Sequence, residues 1–369
     1  MKKSLIALAV LAASGAAMAQ SSVTLFGIVD TGIGYVNHSI DAKGNDTGSR
    51  YGVGTSGNAT SRLGLRGTED LGGGLKAGFW LEGEVFGDDG NASGLNFKRE
   101  STVRLSGNFG EVRLGRETTP TFRTSLKYDV FGATGIGQFM GYRDWAGNKI
   151  ADSDGIRANN MVSYSSPNFN GFTANISYAF DEKAATFAGN NKIGRYVGGN
   201  VGYDNGPLSV TLAYGTIKSA ANFGALGSDS ADRDEVELGA SYNFGVAKLT
   251  GLAQQVKYKA DNVGASGKFN NYMIGVSAPV GGVGEVKAQY AYYDQKGFNT
   301  KAQQLSLGYV HNLSKRTALY GTVAFMKNNG ANDNSLGSNL GLQAKGVYKD
   351  AVAYGQNQTG VQVGIRHAF

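Results

Sequence analysis

From residue 22 to the end of the chain, apolar and polar residues alternate with a period of two. Leu208, Val210, Leu212 and Tyr214 stand on one side of their segment, with Ser209, Thr211 and Ala213 on the other. Val286, Ala288, Tyr290 and Tyr292 are set against Glu285, Lys287, Gln289 and Ala291. Phe172, Ala174, Ile176, Tyr178 and Phe180 alternate with Thr173, Asn175 and Ser177, and Val236, Leu238, Ala240 and Tyr242 with Glu235, Glu237 and Ser241. A period of two places every second side chain on one face of a sheet. The segments run to about ten residues, the length of a tilted membrane strand and about twice that of an ordinary soluble one.

The links between segments alternate short and long. Asp70-Leu71-Gly72-Gly73, Asn108-Phe109-Gly110, Asp204-Asn205-Gly206 and Asn312-Leu313-Ser314-Lys315 are short, whereas 37–58, 118–157, 181–192, 219–232 and 328–357 are long and polar. Tight turns at one end and long loops at the other are the arrangement of transmembrane β-barrels. The spacing predicts an all-β, antiparallel transmembrane barrel of about sixteen strands, wide enough for an aqueous lumen. Its strands open at 22–36 and 59–69 and close at 358–369. The first is the least regular, because Phe26 and Ile28 share a face with Asp30.

Composition agrees with this reading. There are 57 Gly, 4 Pro, 19 Tyr and 18 Phe, and the mean hydropathy of −0.25 is too polar for a helical membrane protein. Glycines serve tight turns and aromatics the membrane interfaces of a barrel. With no Cys there is neither a disulfide framework nor thiolate chemistry. At the N-terminus, Lys2 and Lys3 precede an apolar run from Leu5 to Leu11, and Ala17-Met18-Ala19 fits a small-x-small cleavage site. This pattern predicts a secretory signal peptide over 1–19 and a mature barrel domain over 20–369. Its removal takes two lysines from a formal charge of +6.

Catalytic and metal chemistry find no footing. His38, His311 and His367 lie far apart in sequence, with no metal-ligand spacing and no converging nucleophile. No cofactor is implied. The basic residues do not form a run interleaved with stacking aromatics, which argues against nucleic acid. The loop 118–157 stands out, being about forty residues against the few usual for a connection. It contains Pro120 and the apolar cluster Val130, Phe131, Ile136, Phe139, Met140 and Trp145. Such a cluster predicts a loop folded into the barrel and packed on its wall, where it narrows the lumen.

The chain also resembles a known family. Ser22-Val23-Thr24-Leu25-Phe26-Gly27, Ser61-Arg62-Leu63-Gly64-Leu65-Arg66-Gly67-Thr68-Glu69-Asp70, Phe109-Gly110-Glu111-Val112-Arg113-Leu114-Gly115-Arg116, Arg157-Ala158-Asn159-Asn160 and Arg366-His367-Ala368-Phe369 are similar to segments of the general porins of β-proteobacteria. The likeness is strongest to trimeric, anion-selective members with an arginine-lined constriction. It implies a homotrimer in the outer membrane, in contact with its lipid and lipopolysaccharide, that passes small anionic solutes. It also implies that Arg62, Arg99 and Arg157, with Arg66 nearby, form the basic cluster, and that Glu82 and Asp129 partly compensate it. Separately, Val361, Val363, Ile365 and Phe369 share one face of the last strand, and a terminal aromatic on such a strand resembles the signal read by the outer-membrane assembly machinery. Parity places Arg62, Arg66, Glu82 and Glu84 on the lumen face, opposite to Leu63, Leu65, Phe79 and Leu81. It places Arg157 inside as well, but sets Arg99 with Val103 on the lipid side unless its strand begins later or carries a bulge. A non-selective barrel, or a structural or adhesive one, is the alternative, and conductance separates them.

Overall fold

The computed structural model describes residues 22–40, 46–90, 96–141, 155–181, 192–222, 228–296, 300–329, 340–342, 345, 347 and 356–369. The expected signal peptide, Trp145 and parts of the long loops lie outside these residues. The strands are β1 (Ser22–Ile40), β2 (Asp46–Thr55), β3 (Arg62–Gly72), β4 (Leu75–Glu84), β5 (Glu100–Gly107) and β6 (Gly110–Thr118). A helix, α1 (Pro120–Tyr128), precedes β7 (Arg157–Ser165), β8 (Phe172–Ala179), β9 (Tyr196–Asn205), β10 (Leu208–Asn222), β11 (Ser228–Asn243) and β12 (Lys248–Ala260). The chain ends with β13 (Ser266–Val280), β14 (Gly284–Lys296), β15 (Thr300–Asn312), β16 (Thr317–Asn329) and β17 (Gln358–Ala368).

All of these strands belong to one antiparallel sheet. β2 apart, they close a sixteen-membered ring. The seam joins β1 to β17 from Ile28↔Ala368 to Val36↔Gly360. Below it, Gly27 N–H donates to Phe369 O at 3.1 Å and Phe369 N–H to Gly27 O at 3.0 Å. Closure matters because an open edge would leave backbone donors and acceptors unpaired in hydrocarbon.

Inside and outside are inverted relative to a soluble protein. Leu305, Leu307, Val323 and Phe325 are exposed on the outer surface, while Gln304 and Ser306 are buried inside. An apolar belt of this extent is stable only against lipid. The buried apolar cluster lies within the lumen, where Phe122, Tyr128, Ile136, Phe139 and Met140 of the long loop meet Leu252, Val256, Met273 and Tyr293 of the wall.

Two elements depart from the sequence expectation. The segment 37–58, read as a polar loop, contains β2, which pairs with the upper part of β1 from Thr31↔Thr55 to Ile40↔Asp46. β1 therefore shares one edge between β3, along Ser22–Ile28, and β2. Asp30 organises the break between these partners. Its buried carboxylate accepts N–H groups from Asn58 (2.8 Å) and Ala59 (2.6 Å) and the Tyr320 hydroxyl (2.7 Å). The irregularity of strand one is thus a polar corner facing inward. The second departure is α1, within the loop 118–157. The Thr119 side chain caps it, accepting Phe122 N–H at 3.3 Å, and Pro120 opens its first turn.

Candidate pore constriction

The loop after β6 enters the lumen and crosses the wall formed by β10–β17. Its side chains enter positions where that wall carries no side chain of its own. The Tyr128 ring lies on Gly239 of β11. A Cβ on Gly275 of β13 would stand 2.5 Å from Val130 Cγ2, and one on Gly308 of β15 would stand 2.7 Å from Phe131 Cε1. The Tyr128 hydroxyl also reaches Ser209 Oγ and Thr211 Oγ1, each at 2.8 Å.

Side-chain amides on the same wall hold the loop backbone. Gln289 accepts Val130 N–H at 3.1 Å and donates to Gly137 O at 3.3 Å. Gln304 Nε2 donates to both Ile136 O and Gln138 O at 3.1 Å. Asn271 donates to Gly141 O at 3.1 Å, and Gln362 accepts Ile136 N–H at 3.4 Å. Tyr293 accepts Met140 N–H at 2.9 Å and donates to Gln304 Oε1 at 2.9 Å. Loop backbone cannot be left unpaired away from water, and these amides supply both donor and acceptor without charge.

The wall across the lumen, β3–β7, is ionised. Arg99 Nε donates to Glu82 Oε1 at 2.6 Å, and Arg62 Nε lies 3.9 Å from the same oxygen. Arg157 Nε donates to Arg99 O at 2.8 Å, which joins the strand ends. Lys345 pairs with Glu84 and lies over the Phe86 ring at 4.6 Å. Further down, Arg104 pairs with Glu100, and Arg113 with Glu111 (2.8 Å) and Glu117 (2.9 Å). Between this wall and the loop lies a cavity of about 300 Å³, lined by Glu84, Arg99, Arg157 and Lys345 on one side and by Phe122, Leu126, Thr134 and Gln138 on the other. The cationic groups of the upper cluster thus outnumber Glu82 and Glu84.

Arg62, Arg99, Arg157 and Glu82 come together as one cluster, although parity accounts for only part of it. β5 begins at Glu100, so Arg99 lies ahead of the alternation, and its N–H donates to Glu82 O at 3.0 Å. For Arg157 the alternation breaks at Asn160, where φ is 52° and Ala158 and Met161 are both buried. The register with β6 also shifts between Gly115 and Glu117. Arg157 reaches the cluster from the first position of β7, and not through the parity of Val162 and Tyr164. Arg66 faces the lumen lower on β3, with its guanidinium 5.3 Å from the Phe26 and Trp80 ring centroids.

Asp129 is not beside the arginines. It caps the end of α1, and its buried carboxylate accepts N–H groups from Phe131 (3.0 Å), Ala133 (2.8 Å) and Phe139 (2.9 Å). Burial holds this carboxyl above its ordinary range, against the opposing pull of those donors. Its placement corrects the expectation of a second compensating acid: it shapes the loop from within. Glu84, which parity turned inward, is the second carboxylate of the cluster. Sequence reasoning missed Lys345, which is held by Thr55 N–H donating to its carbonyl at 2.9 Å. It also missed the amide row, although Gln289 and its counterparts stand on the polar face of their strands.

A closed sixteen-stranded antiparallel barrel with an apolar outer belt and a loop narrowing a polar lumen defines an outer-membrane pore. The sequence profile of the Gram-negative porins matches residues 5–331. The chain is 67% identical over 369 residues, covering all of both chains, to outer membrane porin protein 32 of Delftia acidovorans. It is 35% identical over 413 residues, again covering both chains fully, to an outer membrane porin protein of Bordetella pertussis. Among solved structures, an anion-selective porin from Comamonas acidovorans superposes with a TM-score of 0.85 at 65% identity, over 95% of this chain and 100% of that one. The chain belongs to the Gram-negative porin family. It is an outer-membrane channel for passive diffusion and not an enzyme.

Proposed function

We propose that this porin prefers anions, both inorganic anions and small organic acids, and that Arg62, Arg99 and Arg157 carry the preference at the constriction. The observation that supports this most is the cavity between the loop and the ionised wall, with Arg99, Arg157 and Lys345 against the single carboxylate Glu84 on one side and the uncharged Phe122, Leu126, Thr134 and Gln138 on the other. Guanidinium groups stay charged at any physiological pH and offer several donors to a carboxylate or phosphate. At physiological ionic strength the Debye length is about 8 Å, comparable to the half-width of such a pore, so wall charges act on a passing ion. A low-dielectric wall focuses their field into the lumen. Glu82 and Glu84 moderate it, which keeps binding weak enough for release.

The same reading includes a homotrimer, removal of residues 1–19 on export, and recognition of Phe369 during assembly. The first follows from the family resemblance, the second from the N-terminal pattern and the third from a terminal aromatic on an alternating strand, with which the half-exposed Phe369 beside Gly27 at the seam is compatible.

The test is the reversal potential of the purified protein in a planar bilayer under a KCl gradient, repeated with Arg62, Arg99 and Arg157 each changed to Ser. A potential on the chloride side that shrinks in the variants supports the assignment. A potential near zero or on the potassium side removes the arginine mechanism and leaves the porin. Absence of conductance would point to a structural barrel.

A further inference from the structure

The constriction cavity is charged on one side only, and its other side is more apolar than the passage of inorganic ions requires. Phe122 and Leu126 stand four positions apart on α1 and share the helix face that borders the cavity. Ala133 and Ile156 extend that surface. Phe122 is buried in the cluster that docks the loop, whereas Leu126 is 38% exposed. A contiguous apolar patch rimmed by polar groups is the kind of surface that marks a ligand site.

Across the cavity stand Arg99, Arg157 and Lys345. Arg99 is held by Glu82 and Lys345 by Glu84. Arg157 spends its Nε on the Arg99 carbonyl, and among the described residues it enters no ion pair. Its terminal N–H groups are therefore the ones disposed to take a carboxylate. Glu84, the carboxylate that lines the cavity, opposes a second negative charge on the solute.

A site built this way discriminates by the body of the anion as well as by its charge. Chloride can use the cations alone. A hydroxylated acid uses them too, but must set its hydroxyls against the apolar face, where they lose water. An acid with a hydrocarbon ring uses both sides at once, with its carboxylate on Arg157 and its ring against Leu126, Phe122 and Ile156. The cavity volume of about 300 Å³ lies at the small end of ligand pockets and suits a single ring. We propose that the constriction favours monocarboxylic acids with an apolar ring, such as benzoate, over inorganic anions and hydroxylated acids. The inference rests on the anion preference proposed above and adds the apolar face of α1 as a second determinant.

The experiment uses the purified protein in a planar bilayer and measures the concentration of each solute that halves the chloride current. The solutes are benzoate, gluconate (a hydroxylated monoacid of similar length) and uncharged benzamide. Benzoate should act at a concentration about tenfold lower than gluconate, and benzamide should act least. In Leu126→Ser the ratio of gluconate to benzoate concentrations should collapse toward one, and Leu126→Met should restore it. The KCl reversal potential of the same protein separates the two readings. A ratio near one in the wild type, with a potential on the chloride side, overturns this inference and leaves the anion preference. Benzamide as potent as benzoate, or a ratio indifferent to Leu126→Ser, would overturn it as well. A potential near zero or on the potassium side fails the reading beneath it, and this inference with it.

Discussion

The two sides of the lumen solve different problems with different chemistry. On β3–β7 the inward residues are Arg62, Glu82, Glu84, Arg99, Arg104, Arg113 and Glu117, bound into ion pairs. On the loop-bearing wall the residues that hold the loop backbone are the amides Asn271, Gln289, Gln304 and Gln362, with glycines between them, while its charged residues are fewer: Lys287 beside Glu285, Arg233 beside Glu235, and Glu237, which accepts the Ser125 hydroxyl at 2.7 Å. The first wall faces permeating solute and keeps charge there. The second faces a folded loop, where an unpaired charge would be costly and an amide satisfies backbone at no such cost. On the proposed function, narrowing and selecting then fall chiefly to opposite walls.

The largest expected effect comes from the loop-bearing wall. Gly239→Val places a side chain where the buried Tyr128 ring lies, and overpacking of this kind costs about 1–3 kcal/mol. The barrel hydrogen bonds do not depend on that contact, so the loop should lift while the ring of strands persists. Single-channel conductance should rise and become noisier, and anion preference should fall because the arginines then face a wider lumen. An unchanged conductance would show that the loop does not set the pore width.

A smaller effect should follow from Gln304→Leu. It removes donors to Ile136 O and Gln138 O and leaves those carbonyls unpaired, at about 1–3 kcal/mol each. Loop docking should weaken locally, and hydrogen exchange at residues 136–140 should accelerate with little change in selectivity. If selectivity fell as much as in the arginine variants, the division between the walls would be wrong. Salt sharpens the same comparison. The Debye length shrinks from about 30 Å at 0.01 M to about 3 Å at 1 M, so anion preference should fall steeply with ionic strength while the noise caused by Gln304→Leu stays constant.

Much of this architecture can be read from the chain, and the exceptions share a cause. Period-two alternation locates the ring strands because one face meets lipid along their length. β2 escapes because Asp46-Thr47-Gly48-Ser49-Arg50 reads as polar loop, and the pairing that makes it a strand comes from β1. The cluster Phe131, Ile136, Phe139 and Met140 correctly announces a loop packed inward, since all four are buried. Parity handles Arg62, Glu82 and Glu84, which sit within regular strand. It misleads for Arg99, and for Arg157 it gives the right side although the alternation breaks at Asn160; both stand at strand entrances where neighbouring chain sets direction. Lys345 has no local signal because Thr55, distant in sequence, positions it. The family resemblance makes Asp129 a pore acid, yet three backbone donors hold its carboxylate within the loop.

The smallest predicted change tests the ionised wall alone. Glu82→Gln keeps an acceptor for Arg99 Nε and removes the carboxylate that lies 2.6 Å from Arg99 and 3.9 Å from Arg62. The wall gains one unit of positive charge with almost no change in shape. Part of the arginine field is neutralised by this buried acid. The chloride-to-potassium permeability ratio should therefore rise, with conductance and loop noise unchanged. Combining Glu82→Gln with Arg99→Ser should bring the ratio back toward its starting value, because one cation and one anion then leave the same site together. A ratio that falls in the single variant would mean that Glu82 acts chiefly by holding Arg99 in the lumen, and the wall would then select through geometry more than through net charge.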